Sequence, residues 1–99
     1  MTALNTSATG SGTELDARRK KLRFRSWHRG MREMDMILGR FADAHMATLT
    51  DEEIDQYEGL LEFPDDQFFL LITGERPVPQ HLDCPLLQRI LVFGRTYEA

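Results

Sequence analysis

The sequence has one cysteine, Cys84, so no disulfide can form within the chain and packing alone must hold the fold. That agrees with a reducing compartment. Long apolar runs are missing as well. The longest, Phe68 to Ile72, has five residues, against the ~18–20 that a membrane-spanning helix needs. The histidines His28, His45 and His81 are scattered without the spacing of a zinc site, and no metal is expected. There is no Gly-rich phosphate loop, no Ser-His-Asp set and no pair of catalytic carboxylates. These absences point away from an enzyme and toward an interaction protein. No stretch alternates apolar and polar residues with the period of two that a half-buried strand requires. Residues 1–12 are mainly Ser, Thr, Ala, Gly and Asn, with Leu4 the one bulky apolar residue after Met1. Such a tail is expected to be disordered. It lacks the basic start and apolar run of a secretory signal, and no arginine precedes Arg18, which argues against a mitochondrial transit peptide. The simplest expectation is a bacterial cytoplasmic protein.

What is present is a chain of 99 residues, 41% hydrophobic and 28% charged, which reads as one small globular domain over 13–99. Its charge is divided. Residues 14–40 hold nine Lys and Arg against four Asp and Glu, a net of +5, while residues 41–99 hold three against twelve, a net of −9. A chain so divided carries a local positive field despite its acidic total. That field can steer an acidic partner toward Lys20 and Lys21, or the two halves can attract each other across the domain.

The periodicity predicts five helices. Thr13 is a candidate N-cap for the first, with Glu14 and Asp16 in its first turn and Leu15, Leu22 and Ser26 along one face to about Trp27. Phe24 and Trp27 lie off that stripe. The second should span about Met31 to Ala47, with Met34, Leu38, Phe41 and His45 at a 4-3-4 spacing that shares one face, widened by Ile37. Gly39 inside it costs about 1 kcal/mol against alanine unless a neighbour needs close approach. Thr50-Asp51-Glu52-Glu53 is a capping box, with a hydroxyl at the cap and a glutamate three residues on. It opens a third helix carrying Ile54, Tyr57, Leu60 and Leu61. Pro64-Asp65-Asp66 starts a fourth. Phe68 to Ile72 is apolar on every side, so this helix should be central, and Gly74 should stop it. Pro77 and Pro79 mark an extended connector. Asp83 can cap a fifth helix, with Pro85 early in it and Leu86, Leu87, Ile90 and Leu91 as its apolar face. The fold class is therefore all-α, a small bundle of about five helices.

Between the first two helices stands Arg29-Gly30-Met31-Arg32-Glu33. It brings two cations, a glycine and a carboxylate into one corner. Glycine permits a sharp turn because no Cβ forbids positive φ, and a carboxylate in the first turn of a helix is favoured by the dipole. Residues alone leave the corner open to being an ordinary helix–helix turn with solvated charges, and the basic helix before it open to docking on an acidic protein, binding nucleic acid through phosphates, or forming a solvated face with two anchoring aromatics. A general regulatory adaptor of antitoxin-like kind is a further open class.

The same five residues match the RGxxE signature of the succinate dehydrogenase assembly factor 2 family. Other pieces match in order: Met34-Asp35 and the run to Gly39-Arg40-Phe41-Ala42, then Leu60-Leu61-Glu62, the acidic pair Asp65-Asp66, and Ile72-Thr73-Gly74 with Pro77 and Pro79 after it. The chain resembles that family over about residues 18–80, and departs from it where Leu71 stands in place of an expected tryptophan. The resemblance implies a non-enzymatic helical chaperone, monomeric when free. It would promote covalent attachment of FAD to the flavoprotein subunit of succinate dehydrogenase and, in bacteria, of fumarate reductase. FAD would be handled on that partner, whose own histidine bonds to the flavin, and not held firmly by the chaperone. Nucleic acid and membrane would not be partners. Carried over by residue, the partner-binding surface centres on Arg29, Gly30 and Glu33, with Arg32 and Asp35 beside them.

Overall fold

A computed structural model describes the backbone of residues 3–98 and the side chains of residues 14–96. Five α-helices follow one another: α1 (Ala3–Trp27), α2 (Arg32–His45), α3 (Asp51–Leu61), α4 (Asp65–Thr73) and α5 (Pro85–Glu98). Short 3-10 turns at Met46–Thr48 and Gln80–Leu82 join them, and there is no strand among the described residues. The helix α1 packs on α2 and α3, while α5 closes the other side against α2, α3 and α4.

The apolar faces predicted by spacing make the core. Leu22 and Ser26 of α1 are buried, as are Met34, Ile37, Leu38 and Phe41 of α2 and Ile54, Tyr57, Leu60 and Leu61 of α3. Phe68, Leu71 and Ile72 of α4 meet Leu86, Leu87, Ile90 and Leu91 of α5 in the same cluster. His45, the last member of the α2 stripe, is half-buried at the rim, with its ring 4.7 Å from Phe41 and 6.1 Å from Phe93. The helix α4 is central but not buried all round, since Phe69 and Leu70 are only partly covered.

Helix ends follow local chemistry. Thr50 accepts from the Glu53 amide, and Glu53 accepts from the Thr50 amide, completing the capping box. Gly74 ends α4 at φ 84°, and the Glu75 amide reaches back to the Leu70 carbonyl at 3.0 Å.

Three boundaries differ from the expected ones. Residues 1–2 of the tail expected to be disordered lie outside the described residues. From Ala3 the backbone already belongs to α1, well ahead of the predicted start at Thr13. Once a helix is nucleated, each added residue gains a hydrogen bond without a new nucleus, although the Ser, Thr, Asn and Gly residues of this stretch are weak helix formers. The helix α2 begins one residue late and ends at His45, its continuation tightening into the 3-10 turn. Asp83 does not cap α5. Pro85 takes the first helical position, so the Cys84 carbonyl opens the ladder by accepting from the Gln88 amide, and the Asp83 carboxylate instead accepts from the Gln88 side chain.

Gly39 has a neighbour that needs close approach. A Cβ built there would lie 2.2 Å from the Trp27 ring, so the indole of α1 rests directly on the α2 backbone. The Trp27 Nε1 donates to Asp43 one turn on, at 3.3 Å.

One polar pair lies within the core. The Ser26 hydroxyl donates to the Leu22 carbonyl at 2.7 Å and stands 2.6 Å from the Tyr57 hydroxyl. Burial pushes the Tyr57 phenol up to about 12, against smaller opposing effects of the Ser26 hydrogen bond and the Arg29 charge. An unfolded tyrosine titrates near 10. The unfolded chain therefore loses its proton first, and the contribution to stability is whole below pH 10 and lost as pH rises toward 12. The expected loss is roughly 1–1.5 kcal/mol by about pH 11. Urea midpoints measured near neutral pH and at about pH 11 should show that excess fall in the native chain and not in Tyr57→Phe. Equal falls in both would remove the phenol as its cause.

Candidate functional site

The site grows from the turn between α1 and α2. Trp27 is the last residue of α1, and the His28 amide still reaches the Arg25 carbonyl at 3.2 Å. The chain then reverses through Gly30 at φ 100°, a conformation closed to most side chains. A Cβ there would meet nothing within 4 Å, so the surface in front of Gly30 is open.

The N-cap of α2 is Met31, which offers no side-chain hydrogen bond. Asp35 serves the turn instead. Its Oδ1 accepts from the Arg29 amide at 2.5 Å and from the Gly30 amide at 3.2 Å. Amides left unpaired before a helix are thereby satisfied by a carboxylate on the helix itself.

Arg29 points the other way, into the bundle. Its Nε donates to Asp65 Oδ1 at 2.7 Å, Nη1 to the Leu61 carbonyl at 2.7 Å and Nη2 to the Phe63 carbonyl at 3.1 Å. The last carbonyls of α3 have no partner within the helix, and a planar cation with forked donors suits them. The Arg29 side chain is 11% exposed and that of Asp65 18%.

Sequence reasoning therefore named five residues that do meet at one corner, but they divide. Gly30, Arg32 and Glu33 are exposed, and among the described residues neither the Arg32 nor the Glu33 side chain has a hydrogen bond or ion pair. Arg29 and Asp35 were both expected to face a partner; Arg29 instead points inward, where Asp65 and the Leu61 and Phe63 carbonyls take its donors, and the half-buried Asp35 turns one carboxylate oxygen back to the Arg29 and Gly30 amides. Asp65 was read as a helix start and as half of the acidic pair that matches the family, not as a partner of Arg29. Nothing local in the sequence ties it to an arginine 36 residues earlier.

The basic segment is largely spent in the same manner. Arg18 pairs with Asp55 and Glu58 at 2.8 and 2.9 Å, and Arg25 with Glu62 at 2.9 Å, so α1 lies along the acidic side of α3. The divided charge thus acts within the domain. Each exposed pair adds little, but successive pairs along two helices fix their register. What α1 leaves outward is aromatic as well as basic. Phe24 is 63% exposed, and the His28 ring is stacked on it with centroids 4.0 Å apart. A separate concavity of about 500 Å3 between α2 and α5, lined by Phe41, His45, Arg89, Val92 and Phe93, contains none of the motif residues.

Comparison with known proteins bears on this corner. The model of a family described as the flavinator of succinate dehydrogenase matches residues 20–93. An FAD assembly factor, SdhE, of Acetobacter pasteurianus is 37% identical over 94 residues, covering 92% of this chain and 86% of that protein. The SdhE of Ralstonia nicotianae is 34% identical over 95 residues, covering 96% and 98%. A mitochondrial succinate dehydrogenase assembly factor 2 from Dictyostelium discoideum is 35% identical over 78 residues, and the chain spans 55% of that longer relative. The matched stretch of the family includes α2, α3, α4 and the whole turn.

Proposed function

The chain belongs to the family of succinate dehydrogenase flavinators, and from that premise we propose that it promotes covalent attachment of FAD to the flavoprotein subunit of succinate dehydrogenase by docking on that subunit. The observation that carries the docking surface is the open corner of Gly30, Arg32 and Glu33. Backbone and charges there are exposed, and the Arg32 and Glu33 side chains have no partner among the described residues.

The chemistry asks little of this chain as a catalyst. Flavinylation joins a histidine of the subunit to the flavin, and FAD stays on the subunit throughout. What the bond requires is a dry, preorganised site around histidine and ring. A rigid corner that binds the competent arrangement of the subunit better than the incompetent one shifts the population toward bond formation. Gly30 allows close approach of backbone to partner, Glu33 offers a carboxylate to a cation or histidine, and Arg32 offers a guanidinium to a carboxylate. The role is that of a non-enzymatic helper, acting as a monomer in the bacterial cytoplasm, and the fumarate reductase flavoprotein is a second client of the same chemistry.

The test is complementation. In a bacterial strain lacking its own factor, expression of this chain should restore in-gel flavin fluorescence of the flavoprotein subunit, and a tagged chain should co-purify that subunit. Absence of fluorescence with the chain present and folded sinks the proposal. Recovery of nucleic acid, or of a protein that carries no flavin, in place of the subunit would move the chain to another class.

A further inference from the structure

We propose that Arg29 and Asp35 are positioning residues: they do not touch the flavoprotein, but brace the Gly30 turn from two sides so that Gly30, Arg32 and Glu33 face outward together. Asp65, at the start of α4, is the third member of the brace. The proposal rests on the docking role above and assigns the inward half of the motif to a different task.

The polar atoms are already committed. The guanidinium of Arg29 donates from Nε, Nη1 and Nη2 to Asp65, Leu61 and Phe63, so touching a partner would mean abandoning three bonds at 89% burial of the side chain. Asp35 is engaged through one oxygen, Oδ1, which is shared between the Arg29 and Gly30 amides and is thereby turned back toward the chain.

The directions of the two braces matter. Asp35 is carried by α2, the helix that also carries Arg32 and Glu33, so its carboxylate fixes the turn relative to those side chains. Arg29 ties the same turn to the end of α3 and the start of α4. The turn has little else to hold it, since Met31 offers no side-chain cap. Gly30 is the residue of the motif with the most backbone freedom to lose, and an unbraced glycine samples many conformations. Bracing removes that entropy before docking, which is how preorganisation strengthens a contact.

The experiment compares Asp35→Asn with Asp35→Ala, titrating each full-length chain into a flavinylation reaction with the flavoprotein subunit and FAD. The asparagine oxygen can accept from the same two amides but carries no charge. Asp35→Asn should keep the half-saturating concentration within about threefold of native, whereas Asp35→Ala should raise it about tenfold or more. Both should reach the native rate at saturation. In the free chain, hydrogen exchange at the Arg29 and Gly30 amides should quicken in Asp35→Ala and stay slow in Asp35→Asn, a readout independent of any partner. The proposal is overturned if Asp35→Asn loses flavinylation while those amides stay protected, because the charge itself would then be read by the partner. It is also overturned if Asp35→Ala flavinylates like the native chain. Should Asp35→Ala not fold, the asparagine arm decides alone. Failure of the native chain to flavinylate is a separate result, and would sink the docking role.

Discussion

Gly30→Arg is expected to abolish covalent flavinylation of the flavoprotein subunit while the helical bundle stays assembled. The bundle survives because a Cβ at position 30 meets no atom within 4 Å and the residue supplies no core volume. The backbone does object, since φ there is 100°. Holding an L-residue in a left-handed conformation costs about 1–2 kcal/mol, against the ~5–15 kcal/mol by which domains are stable. Strain of that size lowers the melting point without unfolding the chain. The proposed docking surface should suffer far more, because a long cation would then stand where the partner is proposed to approach the backbone. Gly30→Ala is the control that carries the same strain without the bulk, and it should keep substantial activity. Glu33→Ala removes one charge-assisted contact of a type contributing about 1.5–3 kcal/mol, so binding should weaken roughly 10- to 150-fold. In-gel flavin fluorescence in the complemented strain, read beside circular dichroism and thermal melting of each purified variant, checks all three. Full fluorescence with Gly30→Arg and Glu33→Ala would take the corner out of the mechanism. Loss of fluorescence with loss of cooperative melting would make the stretch a structural turn and no more.

Leu71→Ala should cost about 2–5 kcal/mol, as burial-to-cavity changes in packed cores do. Leu71 is 1% exposed, between Phe68 and Ile72 at 0%, on a helix of only nine residues. Such a helix has little stability of its own and depends on the face it buries. The family resemblance leads one to expect tryptophan at this position, and the bundle closes around leucine instead. A shift in urea midpoint at unchanged slope measures the cost. A change near zero would mean that α4 rearranges to fill the space. The motif is a second reporter, since the first residue of α4 is Asp65, which holds Arg29. Loosening α4 should therefore weaken docking at the corner even though Leu71 never reaches it.

Local patterns were legible in the sequence. The Thr50 box, the Gly74 stop and the apolar face of α2 each need only residues three or four apart, and the chain shows those spacings directly. The five motif residues were also found together, because they are neighbours in sequence. What the pattern did not contain was direction. An arginine beside a glycine looks the same whether it faces solvent or the end of another helix, and the decision is made by two carbonyls and a carboxylate more than thirty residues away. Asp35 posed the same problem over a shorter span. The resemblance placed it on the partner-binding surface, and the amides it serves lie five and six residues back, before the helix begins. The start of α1 was missed for another reason. A cap residue was visible at Thr13, but a capping side chain marks where a helix can begin and does not forbid an earlier beginning.

The indole of Trp27 lying on Gly39 has a consequence for how such a chain can change over generations. With ring carbons 2.2, 2.4 and 2.7 Å from where a Cβ at position 39 would sit, even alanine evicts the indole. Replacing Trp27 alone with a small residue leaves a trough along the seam of α1 and α2 for water or nothing to fill. Each single step is downhill. A chain that took both, a small residue at 27 and a methyl or isopropyl group at 39, would bring the same two helices together with the contact turned inside out. The two positions are therefore expected to be coupled, and a double-mutant cycle should show that a substitution at one costs more or less according to the residue at the other.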